Sequence, residues 1–281
     1  MSTSIATKQT EIPGLNAIKA KQKVTWEDGD YASFARFMAA GAIEVLDNWD
    51  IDADKSLLDV GCGSGQTAIP AAKKGIRVTG VDIAENLIHH AQQRAFNAKL
   101  NARFDVGDAE DLPYDNNKFD VVISMFGAMF APRPERVTNE FARVLKPGGQ
   151  LYMANWTPAS MPAQMFKCVS GFVPPAPGYI PPVLWGDEET VAQRLAKEFT
   201  DIHLTRKTYP QWHYPLTAAE LVELFRTYFG PVKRAFDAID SQQAAELQQL
   251  LEAIYRSNSE LHNDILTITN GEYLQVIATR K

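Results

Sequence analysis

The chain holds only two cysteines, Cys62 and Cys168, far apart in the sequence. Such a pair suggests neither a disulfide framework nor a zinc site, and no metal is expected. Runs of lysine and arginine are missing, and the net charge is −6 with an isoelectric point near 5.4. Phosphate binding wants a basic surface, so nucleic acid is not the expected substrate. No apolar stretch is long enough to span a bilayer, and the opening MSTSIATKQTEIPGL lacks the apolar core of a secretion signal. Repeats and low-complexity tracts are absent as well. The expectation is a cytoplasmic protein with a small-molecule partner. What is plentiful is apolar side chain, 45% of 281 residues. That supports a core of about 150 to 200 residues with appendages.

The most informative stretch is Leu57 to Gln66, LLDVGCGSGQ. An apolar run ends in an acid, Asp59, and glycines follow at alternate positions, Gly61, Gly63 and Gly65. A small-residue helical pattern, Thr67 to Lys74, comes next and stops at Gly75. This is a buried strand feeding a tight turn that opens a helix, where a ligand can approach bare backbone. The G-x-G-x-G spacing is one residue shorter than the dinucleotide fingerprint, and a pyrophosphate would repel the preceding acid. An acid there suits a ligand bearing an ammonium group. At this point the chain resembles the first motif of class I S-adenosylmethionine-dependent methyltransferases.

Four further segments extend the resemblance over roughly residues 55 to 156. IRVTGVD, Ile76 to Asp82, reads as a second strand, and its terminal acid stands where a ribose diol would be held. GDAEDLPY, Gly107 to Tyr114, looks like the family loop that closes over adenine. FDVVIS, Phe119 to Ser124, matches the strand whose end faces the substrate. VLKPGGQLYM, Val144 to Met153, resembles the helix, turn and fifth strand that close the shared half of the fold. The resemblance implies S-adenosylmethionine as cofactor, held by Asp59, Gly61, Cys62, Gly63, Gly65, Asp82, Ile83, Asp108, Ala109 and Ser124. Read simply as residues, Glu110 and Asp111 are polar loop, and Cys62 is a small buried filler.

Alternation of strand and helix from 56 to 154 implies parallel pairing with right-handed crossovers, hence a doubly wound α/β sheet. The family pattern makes it a Rossmann-like seven-stranded sheet whose final strand, Gly271 to Thr279, is antiparallel. Pro70 requires the first helix of the core to start late, near Gln66 or Thr67. Ala84, where a capping serine is common, gives the second helix a weak cap.

Residues 1 to 50 read as a disordered start, to about residue 20, and a helical cap with Phe34, Phe37, Met38 and Ile43 as its buried stripe. WEDGDY, Trp26 to Tyr31, resembles an element of a bacterial subgroup of these enzymes and makes Tyr31 a candidate cofactor or substrate contact. Residues 51–156 are the cofactor-binding core. Residues 157–199 read as a proline-rich lid and a helix, and 200–281 as the final strands with a helical insertion at about 215–262. Phe126, Met129, Phe130, Trp156, Tyr179 and Trp185 are the expected substrate-pocket residues, which points to a hydrophobic or aromatic small molecule. Sulfonium methyl transfer is driven mainly by in-line positioning and needs no obligatory acid or base. If a base is used, His213 and His203 are the candidates. Rival readings are a non-catalytic S-adenosylmethionine-binding sensor or assembly protein and a nicotinamide-dependent reductase.

Overall fold

The structure, a computed structural model, describes residues 14–263 and 265–281. Residues 1–13, which carry most of the stretch expected to be disordered, lie outside the described residues. In chain order the elements begin with helices α1 (Leu15–Glu27), α2 (Tyr31–Ala35) and α3 (Ala39–Asp47). The core runs β1 (Ser56–Val60), α4 (Ala68–Lys73), β2 (Arg77–Asp82), α5 (Glu85–Asn97), β3 (Arg103–Val106) and β4 (Phe119–Met125). It continues with α6 (Pro134–Val144), β5 (Leu145–Trp156), α7 (Met161–Phe172), α8 (Glu188–Leu195) and β6 (Phe199–Thr208). The remainder is β7 (His213–Tyr214), α9 (Ala218–Tyr228), α10 (Gly230–Asp237), α11 (Ser241–Ser257), β8 (Ser259–His262), β9 (Ile265–Ile268) and β10 (Glu272–Arg280).

Seven strands pair in the order β3-β2-β1-β4-β5-β10-β6. Five are parallel neighbours, and β10 enters antiparallel between β5 and β6. The central parallel strands β1 and β4 are buried on both faces, so they read as near-continuous apolar runs: Leu57, Leu58, Val60, Val122 and Ile123 are all inaccessible. The strand order reverses between β1 and β4, and that is where the carboxyl ends leave a crevice.

Local chemistry explains the start of each core helix. α4 begins at Ala68, which leaves Pro70 in the first turn where its missing N–H costs nothing. Ala84 gives α5 no side-chain cap. The vacancy is filled from a distance: Glu27, at the end of α1, accepts from the Glu85 amide through its carboxylate and from Asn86 Nδ2 through its carbonyl. Lys146 to Gly149 interrupts the ladder between β4 and β5. Phe119 pairs with Leu145 and Val121 with Gln150, so the segment loops out between two ladder contacts.

Several expectations need correcting. Helix α1 starts at Leu15, inside the stretch expected to be disordered. Ile43 is exposed, leaving Phe34 and Met38 as the buried part of its stripe. The proline-rich passage is not an irregular lid throughout. Its first part is α7, begun by Ser160, whose hydroxyl accepts from the Ala163 amide, with Pro162 in the first turn. Only the segment between α7 and a short 3-10 turn at Pro182–Gly186 lacks regular structure, and most of it is exposed. The C-terminal insertion holds three helices, α9 to α11. It also holds a small sheet, β7-β9-β8, which the sequence pattern did not suggest.

Candidate active site

At the reversal point a cleft of about 810 Å³, counting its open mouth, runs along the carboxyl ends of β1, β2 and β4. Its floor is the glycine turn. Gly61 has φ +72°, and a Cβ there would sit 2.6 Å from Gly127 Cα in the loop after β4. Two strand-end loops therefore meet at a point where neither tolerates a side chain. Asp82 ends β2 with both oxygens occupied by backbone: Oδ2 accepts from the Gly63 amide and Oδ1 from the Ala84 amide, each at 2.9 Å. Burial raises its carboxyl above the ordinary range against those hydrogen bonds.

Asp59 lies one layer deeper and is inaccessible. Burial first, and the neighbouring Asp82 charge second, push its carboxyl up to about 8, while the Ala68 amide opposes the shift. Its Oδ2 has no partner among the described residues. An orphaned acid beside a second raised acid is a site short of positive charge.

The far end of the cleft is closed by α1. Lys19 Nζ lies 2.5 Å from both Asp108 Oδ2 and Glu110 Oε2. Glu110 is fully buried, and both of its oxygens are also held by Arg133, through the backbone amide at 2.6 Å and Nε at 2.8 Å. Gln22 Nε2 donates to the Phe130 carbonyl at 2.7 Å. Asp108 Oδ1 accepts from the Glu110 amide, while Oδ2 accepts from Lys19.

Beyond the cleft lies a second cavity of about 430 Å³, and the two share Tyr31, Phe126 and Phe130. Phe126 holds a left-handed φ of +57°, rare for an aromatic residue and a mark of local strain. Its ring stacks on Trp156 at 3.8 Å and 4°, and its amide donates to the Ala154 carbonyl. Trp156 in turn lies 5.2 Å from Trp212, whose Nε1 donates to the Tyr214 hydroxyl. Met161, Met165 and Phe166 of α7, and Phe225 and Phe229 from α9 and its end, complete the wall. Tyr31 stands at the junction with its hydroxyl pushed up to about 12 by burial and the Asp82 charge.

The structure brings together most, but not all, of the residues singled out from the sequence. Gly61, Gly63, Asp82, Ile83, Asp108, Ala109 and Tyr31 line the cleft; Phe126, Phe130 and Trp156 border the inner cavity. Asp59, Cys62 and Gly65 sit beneath the turn rather than on its surface. Cys62 fills space against Gly80, and burial pushes its thiol up. Ser124 does not reach the cleft: its hydroxyl donates to the Val60 carbonyl and accepts from the Ala128 amide, clasping β4 to β1. Met129 and Trp185 are core residues, the latter under the Arg194 guanidinium at 4.7 Å, and Tyr179 lines neither cavity. His203 is exposed on β6, and His213 is exposed on the small sheet, 2.9 Å from Thr267 Oγ1. Neither histidine can serve as base from there. Glu110, read from the sequence as polar loop, is instead the buried anchor for Lys19 and Arg133. Lys19, Gln22, Trp26 and Trp212 were missed, because only packing brings them to the site.

A methyltransferase-domain family matches residues 58–153. An uncharacterized protein of Mycobacterium tuberculosis is 35% identical over 219 residues, 76% of this chain and 78% of its own. A ubiquinone biosynthesis O-methyltransferase of Coxiella burnetii is 39% identical over 100 residues, 36% of this chain and 43% of its own. The chain belongs to the class I S-adenosylmethionine-dependent methyltransferases. The solved structure of a geranyl diphosphate methyltransferase in complex with S-adenosylmethionine shares the fold at TM-score 0.54 and 17% identity, over 86% of this chain and 85% of that one. In this methyltransferase the methyl donor is S-adenosylmethionine. The reductase reading falls with that family membership. Among the described residues no helix is long and apolar enough to cross a membrane.

Proposed function

We propose that this methyltransferase transfers a methyl group to O, N or C of a hydrophobic or aromatic small molecule bound in the inner cavity. The observation that carries the reading is the junction of the two spaces at Tyr31, Phe126 and Phe130: a polar cleft with acids at its floor opens onto an apolar cavity. The cofactor fits the cleft on the chain's own evidence. Asp82 lines the cleft, and Asp59 lies beneath it with Oδ2 unpartnered; a sulfonium and an ammonium group would draw both raised acids into their charged forms. Asp82 would hold the ribose, its geometry fixed in advance by Gly63 and Ala84. Asp108 Oδ2 would take the adenine amino group in place of Lys19.

When bound, the cofactor supplies an already activated methyl group. The chain contributes placement, worth roughly 7–11 kcal/mol in well-oriented reactions. It also contributes exclusion of water, by α1 on one side and α7 with α9 on the other. The absence of a histidine or carboxylate from the inner wall, among the described residues, accords with catalysis by positioning. The test is turnover: purified protein with S-adenosylmethionine and a panel of phenols, amines and quinols should release S-adenosylhomocysteine with at least one apolar acceptor. Release confined to highly polar acceptors would end the reading.

A further inference from the structure

Nine of the thirteen residues lining the inner cavity are aromatic, and the other four are Met38, Met161, Pro162 and Met165. Among the described residues, its wall carries no carboxylate, amine, imidazole or thiol. The sole ionisable group is the Tyr31 hydroxyl, which is an uncharged donor at neutral pH and a poor proton acceptor. The Trp212 indole N–H, the other polar handle for which a partner is defined, is committed to Tyr214.

Three consequences follow for the acceptor. Nothing in the wall can take a proton, so an acceptor atom that must lose one as it is methylated is poorly served. The wall holds no cation to offset a negative charge and only neutral donors such as the Tyr31 hydroxyl, so burying a phenolate or carboxylate here carries a poorly compensated desolvation cost. A cation fares better, because desolvated aromatic faces attract it through their quadrupoles. Charge would also move in the expected direction, since Tyr31, Phe126 and Phe130 would hold the acceptor beside a cofactor that supplies a methyl from a positive sulfur and becomes a neutral sulfide.

We infer that the acceptor is a neutral, apolar tertiary amine or nitrogen heteroarene, whose methylated product is a fixed cation stabilised by the aromatic wall. The inference rests on the proposed function above and narrows it. In the step, the nitrogen lone pair forms the new N–CH₃ bond as the S–CH₃ bond breaks, and the electrons of that bond return to sulfur. Positive charge passes from sulfur to nitrogen, and no proton is released. The wall therefore stabilises charge as it develops on the acceptor, which is the form of binding that raises kcat.

Three aryl probes of similar size separate the outcomes in calorimetric titrations of the full chain saturated with S-adenosylhomocysteine. N,N,N-trimethylanilinium is the product-like cation, tert-butylbenzene its neutral isostere, and 4-nitrophenolate an anion. The expected result is binding of the cation at least about tenfold tighter than the isostere, with the anion weakest. Trp156→Leu and, separately, Phe229→Leu should each shrink that preference, with S-adenosylhomocysteine binding reporting that the variant is folded. N,N-dimethylaniline should be converted to trimethylanilinium with stoichiometric S-adenosylhomocysteine. Equal binding of cation and isostere, or tightest binding of the phenolate, overturns the nitrogen inference and leaves the apolar-acceptor reading standing. Failure of both the cation and the isostere to bind overturns both.

Discussion

The outer cleft and the inner cavity touch at three residues, yet they are built on opposite principles. The cleft is assembled from strand ends and short loops within residues 60–132, closed by α1 and Tyr31. Much of what it offers is backbone and carboxylate, placed by the sheet itself. The inner cavity draws on α2, the loop after β4, the end of β5, α7, the segment leading into β7, and α9. It offers side chains alone, nearly all aromatic or sulfur-bearing. A site made of backbone can accept few substitutions but leaves a motif. A site made of side chains from six places leaves none, and its composition is free to suit a different acceptor.

The sharpest way to break this contrast is Gly61→Ala. The new Cβ would meet Gly127 at 2.6 Å on a backbone held at φ +72°. Since alanine at positive φ destabilises, S-adenosylhomocysteine affinity measured by calorimetry should fall by roughly a hundredfold or more. Next comes Asp82→Ala, which removes the ribose partner and leaves the Gly63 and Ala84 amides unpaired. Affinity should drop by about tenfold or more, and a smaller loss would remove Asp82 from the cofactor site.

Phe166→Ala tests the other half. It should raise KM for an apolar acceptor by about tenfold while S-adenosylhomocysteine affinity stays within about twofold, because truncated aromatic contacts cost only the site they line. Equal losses on both sides would show that the two spaces are one coupled unit.

Asp59 gives a pH signature. Its folded carboxyl stands at about 8, above the unfolded value, so between those limits the folded state keeps a proton that the unfolded chain has released. This group's contribution to stability is fully present at low pH and is lost as pH rises through 8. Thermal unfolding should therefore show a midpoint that declines toward alkaline pH, and Asp59→Asn should flatten that decline. Cofactor binding should release a proton near neutrality in the parent and none from this group in the variant. The smallest effect is expected from Lys19→Ala. The residue is partly exposed and Glu110 keeps Arg133, so cofactor affinity should change by less than about threefold.

Legibility followed the same divide. Asp82, Asp108 and the glycines stand at strand ends, and strand ends are marked by where an apolar run stops, so their convergence needed only the topology. Asp59 and Ser124 show the limit of that logic. A strand-end position does not say whether a side chain points into the crevice or under it, and Ser124 spends its hydroxyl on Val60 and Ala128. The start of α7 was legible in principle, since serine, methionine and proline in that order make a helix start, but the prolines that follow obscured it. Trp185 and Tyr179 are aromatic residues of the proline-rich passage, which by sequence alone points to the site. Packing put one in the core and the other outside both cavities.

By itself, then, the sequence determined the order of strands and helices in the core from β1 to β5, the glycine turn and the acids at its rim, because these follow from local periodicity and backbone demands. Only the tertiary structure decided that Lys19 reaches Asp108 across 89 positions, that Glu27 completes the start of α5, and that Trp212 stands against Trp156. Those contacts depend on how separate elements bury their apolar faces against one another, and no single stretch of chain carries that information.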